Sequence, residues 1–244
     1  MSLDLVSLKA KFLRGETYDL DRVIRHAYKD VQLRTIKGHS PGIQEECIAY
    51  LKEQFENIIV RQPLSDADFE SAHKEICEKF VEIINFYPDI VSKQSFGKGQ
   101  KVVNIIFKFL VAYGIWKNEA QCHMPVDSFV LKWLYGKETY NGTSWSNLSY
   151  DEYVQVQACI LDKIKKPISV GNKTDIVVQN RAQADYYVWY ITKVERNYKD
   201  TKNIIKKMVR NMDADDITCV KKADVDRIVD ELEKLKQKIQ ELWK

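Results

Sequence analysis

The segment Lys101–Trp116 constrains this chain most. Val102, Ile105, Ile106, Phe109, Leu110 and Tyr113 recur at three- and four-residue steps, the spacing of one helix face. Val103 and Phe107 add apolar residues on the other sides. A helix that is apolar on most sides belongs inside a core. The remainder of the chain must therefore provide elements that cover it.

The sequence offers further helices for that purpose. Leu20–Leu33 turns Val23, Ile24, Ala27 and Val31 toward one side. Ile43–Val60 does so with Cys47, Ile48, Leu51, Phe55, Ile58 and Ile59, with Ser40 as a candidate cap ahead of it and Pro63 closing it. Ser65 opens a capping signal before Phe69–Phe86, whose apolar face runs through Ile76, Phe80, Ile83 and Ile84. Asp127–Tyr135 follows Pro125, and Ser149-Tyr150-Asp151-Glu152 is a capping box for Tyr153–Ile164. Gly136–Asn147 and Lys165–Lys173 read as loops. Asp175–Gln179 is a short β-branched run, and Asp175–Lys199 is expected as a long helix carrying Tyr186, Tyr187, Trp189 and Tyr190. The expected fold is all-α. It comprises a globular multi-helix domain over 1–210 and a C-terminal amphipathic helix over 211–244, striped by Val225, Ile228, Val229, Leu232, Leu235, Ile239 and Leu242. That stripe is too short to require a coiled coil. It reads first as a helix docking on the body and second as a means of self-association.

Composition narrows the partners. The net charge of +3 is mildly basic and is compatible with a nucleic-acid partner. The five cysteines are odd in number and form no CxxC pair, which points to reduced thiols in a cytoplasmic protein. Cys122-His123 lacks a second ligand pair at zinc spacing, so no metal and no cofactor are expected. Asn104 and Lys108 interrupt the longest apolar run, and no membrane partner is expected.

The candidate chemistry lies at the start of the central helix. Phe96-Gly97-Lys98-Gly99-Gln100-Lys101-Val102-Val103 sets two glycines one residue apart just ahead of it. Such a pair lets a backbone turn sharply and approach a ligand. The N–H groups of Gly97, Lys98, Gly99 and Gln100 at a helix start would then favour a phosphate. Lys101 falls in the first turn. A neutral lysine amine is a nucleophile able to form a Schiff base with a sugar carbon. Asp127 follows the apolar Met124-Pro125-Val126. Its carboxylate could stabilise positive charge developing on a sugar or handle protons, or it could simply cap a helix.

These two segments resemble the helix-hairpin-helix DNA glycosylase superfamily, which includes endonuclease III and the 8-oxoguanine glycosylases. The glycine and lysine positions of its hairpin match Gly97, Gly99 and Lys101, and its Pro-Val-Asp segment matches Pro125-Val126-Asp127. Proline is absent before Gly97, and Ser128-Phe129 stands where the family usually ends its motif with a histidine. The interval from Lys101 to Asp127 is longer than in endonuclease III and is closer to the archaeal 8-oxoguanine glycosylase branch. The resemblance implies a hairpin over about 89–116, with Gly97, Lys98, Gly99 and Gln100 holding the DNA phosphate. It also implies Lys101 as the Schiff-base lysine of a glycosylase with lyase activity and Asp127 as its essential carboxylate.

Such an enzyme flips a nucleotide out of duplex DNA and holds the base by stacking and edge contacts. Gln121, His123, Trp133 and Trp145 are candidates for that pocket, each weighed against a purely structural place in the core. Tyr140, Tyr187 and Trp189 are further candidate stacking surfaces. The run Lys193–Arg210 carries seven basic residues against two acidic ones and could follow the DNA backbone, although a solvated helix face would carry the same charges. The expected function is excision of a modified base by a monomer. That base could be an oxidised purine in repair or a hypermodified base of phage DNA in defence. A non-catalytic helical nucleic-acid binder and a helical protein-interaction module are the alternatives.

Overall fold

Eight α-helices form among the described residues, and most begin where a side chain can cap them. The computed structural model describes residues 4–31, 42–88, 93–170 and 173–210, together with positions 227, 230, 231 and 234. Helix α1 (Leu5–Leu13) starts at Asp4, whose carboxylate accepts from the Ser7 N–H at 2.8 Å. It is nine residues long with one fully buried side chain, Leu8, too weak a stripe to stand out in the sequence. Packing secures it: Phe12 lies 4.4 Å from Phe109, ring centre to ring centre. Helix α2 (Leu20–Asp30) is capped by Asp19 and ends short of the expected Leu33. Helix α3 (Ile43–Val60) has its expected bounds. Helix α4 (Asp66–Phe86) begins after Ser65, whose hydroxyl accepts from the Asp68 N–H.

Helix α5 (Phe96–Ala112) is the centre of the molecule. Every one of its residues except Lys101 and Ala112 is buried. It packs between α4 and α2, with α1 and α7 on its other sides. Helix α6 (Ser128–Tyr135) is capped by Asp127, and α7 (Tyr150–Ile164) starts with the expected capping box of Ser149 and Glu152. The long α8 (Arg181–Arg210) crosses α1, α6 and α7.

The structure corrects the sequence expectation at four places. The stretch 136–147 is more than a loop: β1 (Thr139–Tyr140) and β2 (Thr143–Ser144) form a hairpin closed by Asn141 and Gly142 at φ 47° and 86°. An Asn-Gly pair with both residues at positive φ matches the right-handed twist of a two-residue hairpin. A second antiparallel hairpin, β3 (Ile168–Val170) with β4 (Lys173–Ile176), takes up the start of the expected helix over Asp175–Lys199. That helix begins only at Arg181, after Asn180 accepts the Gln183 N–H. The glycine turn is also absent. From Ser95 the chain enters α5 directly, with Gly97 and Gly99 inside its first turn.

The glycines serve close packing. A Cβ on Gly97 would meet the Trp145 carbonyl oxygen at 2.0 Å, and one on Gly99 would meet that of Cys77 at 2.5 Å. The Gly97 N–H already donates to the Leu148 carbonyl and the Lys98 N–H to that of Ser95. Gly97, Lys98, Gly99 and Gln100 are all buried, so they do not form a phosphate-gripping surface; positions 89–92 of the hairpin expected over 89–116 lie outside the described residues, and no hairpin is seen among the described ones. Finally, the expected C-terminal helix over 211–244 lies outside the described residues, apart from Arg227, Asp230, Glu231 and Lys234, which are helical and exposed. No helix among the described residues is long and apolar enough to cross a membrane.

Candidate active site

Lys101 is the one long side chain of α5 that is not buried, and it reaches a cleft of about 590 Å³. The cleft lies between α1, α2, α5, the segment leading into α6, and α8. Lys101 and Asp127 both line it, with Nζ 3.5 Å from Oδ2. Asp30, the last residue of α2, presents its own Oδ2 at 3.9 Å from the same Nζ. The Trp145 ring lies 4.8 Å from the ammonium, within the range of a cation–π contact.

Asp127 both caps a helix and faces the lysine. Its Oδ1 accepts from the Phe129 and Val130 N–H groups at 2.9 and 3.1 Å, which fixes the start of α6. Its Oδ2 is thereby turned toward Lys101. The capping role and the site role use different oxygens of one carboxylate.

Two buried glutamines hold Asp127 in this position. Gln100 Nε2 donates to the Val126 carbonyl at 2.8 Å, and its Oε1 accepts from the Val126 N–H at 3.1 Å. Gln157 does the same for Met124, donating at 2.7 Å and accepting at 3.3 Å. The segment 124–126 is buried, with no neighbouring strand to pair its backbone. The two carboxamides supply the pairing that a buried backbone requires. Because Gln100 precedes Lys101 and Val126 precedes Asp127, this clamp sets Lys101 and Asp127 in register.

A chain of buried polar groups continues from the clamp. Asn104 Nδ2 donates to Gln100 Oε1 and to the Tyr153 hydroxyl, while His73 Nε2 meets Asn104 Oδ1 at 2.8 Å. His123 bridges Tyr153 and Glu70, 2.7 Å to each. Burial, reinforced by the neighbouring His123, pushes the His73 imidazole down to about 3. Burial, reinforced by the charge of Arg181, also holds His123 well below its ordinary range.

A second ion pair lies in the cleft. Lys108 and Asp185 are both buried, with Nζ 2.6 Å from Oδ2. Burial pushes the Lys108 ammonium down, offset in part by Asp185, and pushes the Asp185 carboxyl up. The Lys108 Nζ lies about 5 Å from each of three rings: 4.8 Å from Phe12, 5.0 Å from Tyr186 and 5.1 Å from Trp189. Lys101 and Lys108 are two turns apart on one helix face, roughly 10 Å along its axis. The cleft thus has a lysine–carboxylate pair at each of two levels, with aromatic walls between. Arg14, Lys193 and Arg196 complete its lining with positive charge.

The candidate base-pocket residues separate on this geometry. Trp145 stands beside Lys101. Gln121 instead ties its 3₁₀ turn to Leu64 and Asp66, His123 belongs to the buried polar chain, and the Trp133 indole donates to the Ser169 carbonyl. None of these three lines the cleft, and neither does Trp145. Sequence reading missed Asp30, Lys108 and Asp185. Lys108 and Asp185 carried a usable signal, since each is a charged residue at an otherwise apolar helical position. Among the described residues no cluster of three His, Cys, Asp or Glu side chains is placed to hold a metal ion. Compared with protein-family models, curated proteins and solved structures, the chain matches none of them.

Proposed function

We propose that this chain is a DNA glycosylase with lyase activity, of the helix-hairpin-helix superfamily type, acting on a modified base flipped out of duplex DNA. One observation carries the reading: Lys101 Nζ and Asp127 Oδ2 stand 3.5 Å apart at the wall of a cleft large enough for a nucleobase. A nucleophile and a carboxylate that must serve one sugar have to share one cleft at this kind of separation. The matching of Lys101 and Pro125-Val126-Asp127 to the lysine and aspartate positions of the superfamily supports the same assignment.

The steps follow from the groups present. The base enters the cleft and packs against Phe12, Phe109 and Trp189. Its polar edge meets the Lys108–Asp185 pair, so a base that can satisfy both partners is preferred over one that leaves a buried charge unpaired. As the N-glycosidic bond breaks, Asp127 stabilises the positive charge growing on the sugar. The Lys101 amine, its ammonium proton passed to a neighbouring carboxylate, then adds to C1′; the C1′–O4′ bond breaks with its electron pair and a proton going to O4′, and the open sugar is left as a Schiff base on Lys101. The phosphates run over Arg14, Lys193 and Arg196, and binding weakens as salt rises. The protein acts as a cytoplasmic monomer on an oxidised purine in repair or a hypermodified phage base in defence.

The test is reductive trapping with borohydride on duplexes carrying single oxidised or hypermodified bases. A covalent protein–DNA adduct is expected, lost in Lys101→Ala. A folded protein that releases no base and yields no adduct across both substrate groups sinks the proposal.

A further inference from the structure

Lys101 touches two carboxylates, and they differ in kind. Asp127 is 23% exposed and tied at Oδ1 to the start of α6, whereas Asp30 is 57% exposed and ends α2. We propose that Asp30 is a second catalytic residue, the base that removes the C2′ proton in the strand-cleaving half of the reaction. This rests on the reading of Lys101 as the Schiff-base lysine.

The geometry supports a division of labour. Once the base has left, Lys101 Nζ is bonded to C1′, and C2′ is the next carbon along. C2′ is two bonds from Nζ, so an oxygen at 3.9 Å from Nζ is close enough to reach a C2′ hydrogen as a general base must. Asp127 has a single oxygen turned toward the lysine, and that oxygen is engaged with the sugar's charge. Its position is fixed by the cap and by the Gln100 clamp on Val126. Asp30 is the more exposed of the two, so a proton it accepts can pass to water between turnovers.

The step balances as a β-elimination. The C2′–H bond breaks and its proton goes to Asp30. The electron pair left behind forms the C2′–C3′ double bond. The C3′–O bond breaks, and its electron pair leaves with the phosphate, which becomes the 5′ end of the downstream strand. The imine to Lys101 persists until water hydrolyses it. No oxidant, reductant or other co-reactant is needed.

A duplex with a preformed abasic site isolates this half of the reaction from the identity of the base. With the full chain under single turnover, wild type is expected to form the borohydride-trapped adduct and to cleave the strand. Asp30→Asn should still accumulate the adduct and cleave on the order of 100-fold more slowly. Asp30→Glu, which restores a carboxylate, should recover much of the cleavage, a rescue that a folding defect does not give. Cleavage by Asp30→Asn at the wild-type rate overturns Asp30 and leaves Lys101 standing. So does loss of adduct and cleavage together without rescue by glutamate. If wild type gives no adduct at all, the lysine reading fails and Asp30 fails with it.

Discussion

The Gln100 carboxamide pairs with both backbone groups of Val126, 26 residues further along the chain, donating at 2.8 Å and accepting at 3.1 Å. This contact joins the central helix to the segment that ends in Asp127. Gln100→Leu keeps the volume and removes the pairing, leaving a buried N–H and a buried carbonyl unsatisfied. The expected loss is about 2 kcal/mol or more, read as a lower urea midpoint. At a temperature where the variant remains folded, base release should slow while DNA affinity is retained, because the clamp aligns Asp127 and does not touch DNA.

Asp127 separates into two measurable roles. Asparagine is as good a helix cap as aspartate, so Asp127→Asn should shift stability by less than about 0.5 kcal/mol. It should nevertheless reduce base release on the order of 100-fold or more by removing the charge that faces the sugar. Asp127→Ala loses the same activity and about 1 kcal/mol of capping as well. Equal stability losses in the two variants, measured by urea unfolding, contradict the cap.

Gly97→Ala tests whether the glycines act in packing. The added methyl would sit 2.0 Å from the Trp145 carbonyl oxygen, which is backbone and cannot swing away. Overpacking of this kind costs about 1–3 kcal/mol and should displace the 3₁₀ turn that begins at Trp145, beside Lys101, visible as a change in tryptophan fluorescence. Unchanged stability and fluorescence would argue for an open turn.

Acid stability should report the buried histidines. His73, at about 3, and His123 both lie below their unfolded value near 6.5. The unfolded chain therefore binds protons first as pH falls through 6.5, and stability is present above that value and lost below it. Each histidine contributes a slope of about 1.4 kcal/mol per pH unit, continuing for His73 down toward pH 3. Urea unfolding between pH 7 and 4.5 should show the decline, and His73→Asn should flatten it by about one histidine's share.

The Lys108–Asp185 pair should be costly to break and cheaper to remove. Lys108→Met leaves a buried carboxylate without its counter-charge, a loss of about 3–5 kcal/mol. Adding Asp185→Asn should recover part of that stability, while the cleft's preference among bases is lost in both variants. A double variant no more stable than Lys108→Met, by thermal or urea unfolding, argues against a pair acting as a unit.

What could be read from the sequence was what is stored within a few residues. The bounds of α3 and the capping box of α7 follow from apolar steps and from a hydroxyl three residues ahead of a glutamate. The same local reading placed Asp127 at a helix start, where it caps α6; Lys101, expected in the first turn of its helix, lies in the second, because α5 already begins at Phe96. It erred where neighbouring segments override local preference. The two glycines read as a turn because glycine is usual there, yet in the fold they are helical, since the Trp145 and Cys77 carbonyls need the space that a Cβ would fill. His123 and Gln121 read as pocket residues because they adjoin Asp127, yet Gln121 ends a 3₁₀ turn tied to Leu64 and Asp66, and His123 turns inward to Tyr153 and Glu70.

The sequence by itself determined that a buried central helix would be wrapped by other helices, because apolar residues at helical steps must leave water wherever they fold. It also determined that a carboxylate, Asp127, would stand at a helix start. Only the tertiary structure decided that Lys101 and Asp127 meet, that Asp30 joins them, and that Lys108 and Asp185 pair in the same cleft. Those distances depend on how α2, α5, α8 and the segment before α6 approach one another. That approach is set by buried hydrogen bonds such as those of Gln100, between residues with no proximity in the chain.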